Sequence, residues 1–281
     1  MKTTALLLIC SLLSINTICS TPKTTLTENS HRKAINLAGF QKMLTQRMAK
    51  SYLALVAEVD TESNRTQLQS DIALFENNYK NIHRLLLSTE TKEKIAIANI
   101  LWKDYKSILK SPASIANAEK LLSVNTKILK QCNEVILAIE TQAKKEGNLV
   151  LDALTNLTTI ASHQRMLSQR ITFYALAQKL DLDIDNTNVL LAASISEFQQ
   201  SFLLLQESPN NTENIHIELS ESITNWQQLL HYCTDETELR KESNISDISN
   251  SADLLQNKLD NVTRFYEYLT IPDNSSISIS K

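Results

Sequence analysis

The sequence predicts an all-α fold: two tandem up-down four-helix bundles, eight helices in total. Three observations carry this. The 281 residues include only two glycines and four prolines, the residues that build turns and end helices. Apolar residues recur at helical spacing along most of the chain. A stretch of the first half is also repeated in the second. Residues 35–50 read INLAGFQKMLTQRMAK, and residues 158–173 read TTIASHQRMLSQRITF, at an offset of 123 residues. Ala38, Gln41, Met43, Leu44, Gln46 and Arg47 meet identical residues in the second copy. Lys42 meets Arg165, Thr45 meets Ser168 and Met48 meets Ile171. Internal repetition of this kind sets the architecture.

The elements follow in order. Residues 1–20, MKTTALLLICSLLSINTICS, place a lysine before an apolar run and then small and polar residues. That is the pattern of a secretory signal, with cleavage expected near Ser20 and export to a bacterial periplasm. Lipidation at Cys19 is the alternative, and Asn16-Thr17-Ile18 fits its small-residue requirement poorly. The first bundle is expected over 30–146, with helices near 30–58, 65–87, 92–109 and 113–145. Breaks are expected at Asp60–Asn64, Ser88–Thr91 and Ser111-Pro112. Pro112 also suits the first turn of the helix that follows, and Gly147 closes the bundle. The second bundle is expected over 148–270, with helices near 149–180, 189–206, 212–232 and 251–269. Its breaks are DLDIDN (181–186), Pro209-Asn210-Asn211 and a polar stretch at 235–249. Ile72 and Phe75 match Ile195 and Phe198 at the same offset, and Trp226 falls beside the expected partner of Trp102. Both tryptophans read as core anchors, and Tyr266 with Tyr268 as packing residues. Residues 271–281 read as a flexible tail.

Composition excludes several functions. A net charge of −3 lacks the basic footprint of a nucleic-acid binder. No segment after the signal holds 18 uninterrupted apolar residues, so no mature transmembrane helix is expected. No haem-attachment, P-loop, nucleophile-elbow or zincin motif occurs, so the chain reads as a non-enzyme with no cofactor. Glu213 and His216 have the spacing of a di-iron ligand pair in a bundle, but His216 is expected as an exposed helix residue and no metal site is expected. Cys132 and Cys233 occupy non-equivalent places in the two repeats and read as free, buried thiols, although export would permit a disulfide.

Around the first box helix, Leu37, Phe40, Leu44, Met48 and Leu55 form an apolar stripe for the core. A second face carries the small residues Ala38, Gly39 and Ala49 together with Gln46, and Lys42 sits on it. Arg47 points about 140° away from Lys42. In the second copy Arg165 sits over Ala161 and Ser162. If the two small faces pack together, Lys42 and Arg165 meet near a pseudo-two-fold axis, where an anion would relieve their repulsion. The bland reading makes both ordinary surface cations whose stems cover apolar neighbours. Arg47 and Arg170 are expected to pair with carboxylates of neighbouring helices. His163, which stands where the first copy has Phe40, is expected as a packed or half-exposed ring.

The run from Asn36 to Arg47 resembles the signature of the PilJ-type domain, the extracytoplasmic N-terminal domain of type IV pilus methyl-accepting chemotaxis transducers. It is similar also to the conserved box of the NarX and NarQ nitrate/nitrite sensors. The second copy keeps Arg-Met-Leu-Ser-Gln-Arg but has Ser162 for the glycine and Thr159 for the asparagine. The resemblance implies a four-helix domain in each half. It implies that Lys42 and Arg165, with Gly39 and Ser162 nearby, take the role of the anion-clamping arginine at a dimer interface. Lys42 departs from arginine and loses bidentate geometry. Those receptors continue into membrane and signalling segments that this sequence lacks, so a membrane receptor or envelope protein is the expected partner. Two readings stand: an exported sensor-type protein binding a small ligand, with nitrate or nitrite as candidate anions, and a ligand-free helical scaffold of the cell envelope.

Overall fold

The computed structural model describes residues 23–85, 87–147, 153–235 and 244–269, and every element among them is an α-helix. They are α1 (Lys23–Val56), α2 (Thr61–His83), α3 (Thr89–Leu109), α4 (Ile115–Lys145), α5 (Ala153–Lys179), α6 (Ile184–Gln206), α7 (Glu213–Thr234) and α8 (Asn244–Leu269). The expected signal, the C-terminal tail and residues 236–243 of the polar stretch lie outside the described residues. No described helix is long and apolar enough to cross a membrane.

The helices pack as two bundles. In the first, α1 lies against α2 and α4, and α3 lies against α4. In the second, α5 lies against α6 and α8, and α7 lies against α8. The two box helices, α1 and α5, pack on each other, so the bundles stand side by side along a shared seam. This enclosure changes the expected stripe on α1. Residues 48–54 are buried on every face, whereas Leu37, Phe40 and Leu55 are only half-buried. A helix with neighbours on three sides has no solvent face to set against a core face. Residues 171–177 of α5 are buried in the same way.

The 123-residue offset recurs in the pattern of buried positions. Buried Asn64, Leu68, Asp71, Phe75 and Ile82 on α2 recur as Thr187, Leu191, Ser194, Phe198 and Leu205 on α6, each 123 residues on. On α7 the spacing becomes 124: Ile95, Trp102 and Leu109 correspond to Leu219, Trp226 and Cys233. On α8 it returns to 123, with Leu122, Asn125 and Ile139 answered by Ile245, Ile248 and Val262. One residue is thus gained before α7 and lost after it. Phe75 stacks on Trp102 with centroids 3.9 Å apart, and Phe198 stacks on Trp226 at 4.1 Å. Such pairs add about 0.5–1.5 kcal/mol beyond their burial.

The turns repeat too. Glu58 and Asp60 before α2 have φ of 59° and 43°, and Asp181 and Asp183 before α6 have 54° and 41°. Aspartate tolerates this left-handed region better than most side chains. Asn64 Nδ2 then donates to the carbonyl of Val59, and Thr187 Oγ1 to that of Leu182, satisfying the same carbonyl in each turn. These compact turns let α2 and α6 start earlier than the polar runs suggested. Elsewhere Ser88 and Ser114 cap α3 and α4 through their hydroxyls. Two further expectations are revised. The polar stretch at 235–249 is already helical from Asn244, where Ile245 and Ile248 are buried. Tyr268 is 74 % exposed, while Tyr266 is buried and donates to Asn211 Oδ1. Cys132 and Cys233 are free and buried, and burial pushes both thiols up to about 12.

Candidate functional site

The seam between α1 and α5 is tight at Gly39. A β-carbon there would lie 3.0 Å from Ser162 Oγ, so the small faces of the two boxes do meet. Glutamines fix the register of each box against its neighbour. Gln41 Nε2 donates to the carbonyl of Phe75, and Gln164 Nε2 to that of Phe198. Thr45 and Ser168 return their hydroxyls to the carbonyls of Lys42 and Arg165.

Lys42 and Arg165 nevertheless do not share a site. They line separate cavities flanking the seam, one of about 320 Å³ at Lys42 and one of about 840 Å³ at Arg165. The larger lies among α1, α2, α5 and α8, the smaller among α1, α4, α5 and α6. Small residues bring the two backbones together, and the longer side chains beside the contact then leave it in opposite directions.

In the larger cavity Arg165 pairs with Asp260 and donates to Ser162 Oγ at 2.9 Å. Asp260 also takes Arg264 at 2.7 Å. Arg47 lines this cavity as well and makes a two-pronged pair with fully buried Asp71, at 2.8 and 2.6 Å, while Gln256 accepts its third bond. Burial pushes the Asp71 carboxyl up, against the pull of Arg47.

In the smaller cavity Lys42, 9 % exposed, donates to Asn133 Oδ1 at 3.1 Å and lies 3.2 Å from His163 Nδ1. His163 Nε2 is 2.7 Å from Glu197 Oε1, and Arg170 approaches the other carboxylate oxygen at 3.9 Å. A charged Lys42 requires Nδ1 to accept, so the ring hydrogen sits on Nε2 and points at Glu197. Burial lowers the Lys42 ammonium below the ordinary lysine value, with Glu197 opposing. Burial likewise lowers His163, while its hydrogen bond to Glu197 raises it. That bond in turn holds the Glu197 carboxyl below its usual range.

Of the four cations at matching box positions, Arg47, Arg165 and Arg170 face protein carboxylates, whereas Lys42 contacts only neutral partners among the described residues. The pairing of Arg47 and Arg170 was foreseen in kind. Asp71 could also have been found: it falls between Leu68 and Ile72 on the apolar stripe of α2, where a carboxylate needs a buried partner. Asn133, His163 and Glu197 carried no such signal. A further ion pair joins the bundles, buried Lys50 on α1 with half-exposed Asp253 on α8. Among the described residues no group of three metal-ligating side chains occurs, and His216 is exposed on α7.

The family model of the type IV pili methyl-accepting chemotaxis transducer N-terminal domain, PilJ, matches residues 24–101. The similarity therefore runs through α1 and α2 and into α3, and includes the first box with Gly39 and Lys42. No curated protein and no solved structure matches the chain.

Proposed function

We propose that the chain is an exported sensor-type protein built from two PilJ-like domains, each an up-down four-helix bundle. It binds a small ligand beside the box seam and reports to a membrane signalling partner. The observation that carries this reading is Lys42. It is a nearly buried cation without a contacting carboxylate, on the helix that matches the PilJ family, and it lines a cavity against the second box. A buried cation in that state is stabilised by an arriving anion, through charge-assisted hydrogen bonds from Lys42 Nζ. The residues implied by the resemblance divide accordingly. Lys42, Gly39 and Ser162 line the small cavity, and Arg165, Arg47 and Arg170 hold protein carboxylates.

A thermal-shift series with nitrate, nitrite and other small oxyanions tests the reading, because a ligand of the folded state raises the midpoint with its concentration. The expected result is a rise that Lys42→Ala removes and Arg165→Ala leaves in place. A flat response from folded protein to every anion sinks the inorganic-anion version.

The second reading is a ligand-free envelope scaffold. The neutralised arginines favour it, since paired cations hold helices together without a ligand. Recovery of no partner from an envelope extract by the immobilised protein counts against it.

A further inference from the structure

The small cavity holds a second charged group besides Lys42. Glu140 lines it from α4, half-buried, and makes no ion pair among the described residues. Burial pushes its carboxyl up, and Lys144, one turn on, pulls it only partly back. Between Asn133, which holds Lys42, and Glu140 the α4 wall is apolar, made by Ile136 and Leu137, and Ile160 of α5 faces the same space. An unpaired cation and an unpaired carboxylate thus stand at two ends of one apolar slot.

We infer that this cavity takes a small zwitterion, a short ω-amino acid whose carboxylate binds Lys42 and whose ammonium binds Glu140 across an aliphatic spacer. The inference deepens the ligand-binding reading of the same cavity and rests on it. Asn133 and Glu140 are two turns apart, about 10.5 Å along the helix axis. Allowing about 3 Å for a hydrogen bond at each end leaves roughly 5 Å between the ligand charges. From ammonium nitrogen to carboxylate carbon an extended four-carbon ω-amino acid spans about 5 Å, and a five-carbon one, about 6 Å when extended, reaches that separation with one bent torsion. The cavity of about 320 Å³ is room for about ten waters at roughly 30 Å³ each, so such a molecule fits whole. A simple carboxylate would leave Glu140 facing its aliphatic end, and a simple amine would leave Lys42 without its anion. Each loses one charge-assisted contact, which is why the pair of charges selects a zwitterion.

The counterpart cavity shows what closes such a site. At the 123-residue offset Leu137 corresponds to Asp260, the residue that neutralises Arg165, and Glu140 corresponds to Thr263. The larger cavity therefore has its cation already answered and lacks the second charge at that position.

The test is calorimetric and thermal-shift titration of the full chain with 5-aminopentanoate, pentanoate, pentylamine and nitrate. Binding of 5-aminopentanoate at least ten-fold tighter than pentanoate or pentylamine is expected. Glu140→Gln should remove that advantage while pentanoate binding stays. Leu137→Asp, at a position 48 % exposed and so tolerant of substitution, should abolish binding by giving Lys42 an internal partner. Equal affinity for 5-aminopentanoate and pentanoate, or an advantage that survives Glu140→Gln, overturns the zwitterion inference. Lys42-dependent binding of nitrate or pentanoate alone also overturns it and leaves the broader reading intact. No binding of any of the four, to protein shown to be folded by circular dichroism, removes both.

Discussion

Lys42 Nζ lies 3.2 Å from His163 Nδ1, and that contact joins the first copy of the box to the second. The ring must stay neutral to accept from the ammonium, and burial with Lys42 nearby lowers its affinity for a proton. The unfolded chain therefore binds the proton first as pH falls. Stability should be complete above the ordinary histidine value, about 6.5, and decline as pH falls below it. Urea unfolding at pH 7.5, 6.5 and 5.5 measures this. His163→Gln should flatten the pH 7.5 to 5.5 slope relative to the parent chain, and an unchanged slope refutes the assignment.

The Arg47–Asp71 pair is a different case, because Asp71 has no exposure at all. Asp71→Ala leaves a guanidinium without its partner and should cost about 3–5 kcal/mol in denaturant unfolding. A loss below about 1 kcal/mol would mean that Gln256 and solvent satisfy Arg47 unaided.

Lys50 and Asp253 give an asymmetric prediction. Lys50 is 1 % exposed while Asp253 reaches solvent. Asp253→Ala strands the buried lysine and should be strongly destabilising, again by about 3–5 kcal/mol. Lys50→Met, which removes the charge and keeps the volume, should be nearly neutral or stabilising. Midpoints measured side by side decide it, and equal losses for both variants would contradict the burial argument.

Gly39 tests the seam directly. Gly39→Ala gains helix propensity of about 1 kcal/mol but crowds Ser162 Oγ, whose turning weakens its bond from Arg165, so the two effects offset and the midpoint should barely move. Gly39→Leu overpacks the contact and should lose about 1–3 kcal/mol. Adding Ser162→Gly to Gly39→Leu should recover part of that loss, and no recovery in the double variant places the strain elsewhere.

The two Phe–Trp stacks make cooperativity measurable. Trp102→Phe and Trp226→Phe each leave one tryptophan as reporter of one bundle. Because one buried cluster holds residues of both bundles, including Met48, Trp102, Ile171 and Trp226, the two fluorescence transitions should coincide. Separated transitions would show that the bundles unfold independently.

Much of this was legible in the sequence because it is local or periodic. Helix number followed from spacing and from the scarcity of glycine and proline. Gly39 and its small neighbours marked a face open to close helix approach. That the second box would be the helix to fill it was not legible, because the placement of one bundle against the other depends on contacts far apart in the chain. Which way Lys42 and Arg165 leave that contact was not legible, since it depends on the rotation of one helix against another 123 residues away. His163 read as a ring in place of Phe40. Its role as a link between Lys42 and Glu197 exists only once α1, α5 and α6 are in place. Tyr268 followed its neighbour Tyr266 in the sequence but points outward, because residues two apart on a helix face different sides.

The seam between α1 and α5 has one more consequence. A symmetric dimer presents the same patch twice, so any substitution appears on both sides of its axis. Covalent tandem repeats are released from that constraint. Here Lys42 stands opposite Arg165 in register, Asn133 answers Gln256, and Leu137 answers Asp260. The two sides can therefore drift apart in chemistry, one sealing itself as a structural ion pair while the other stays open.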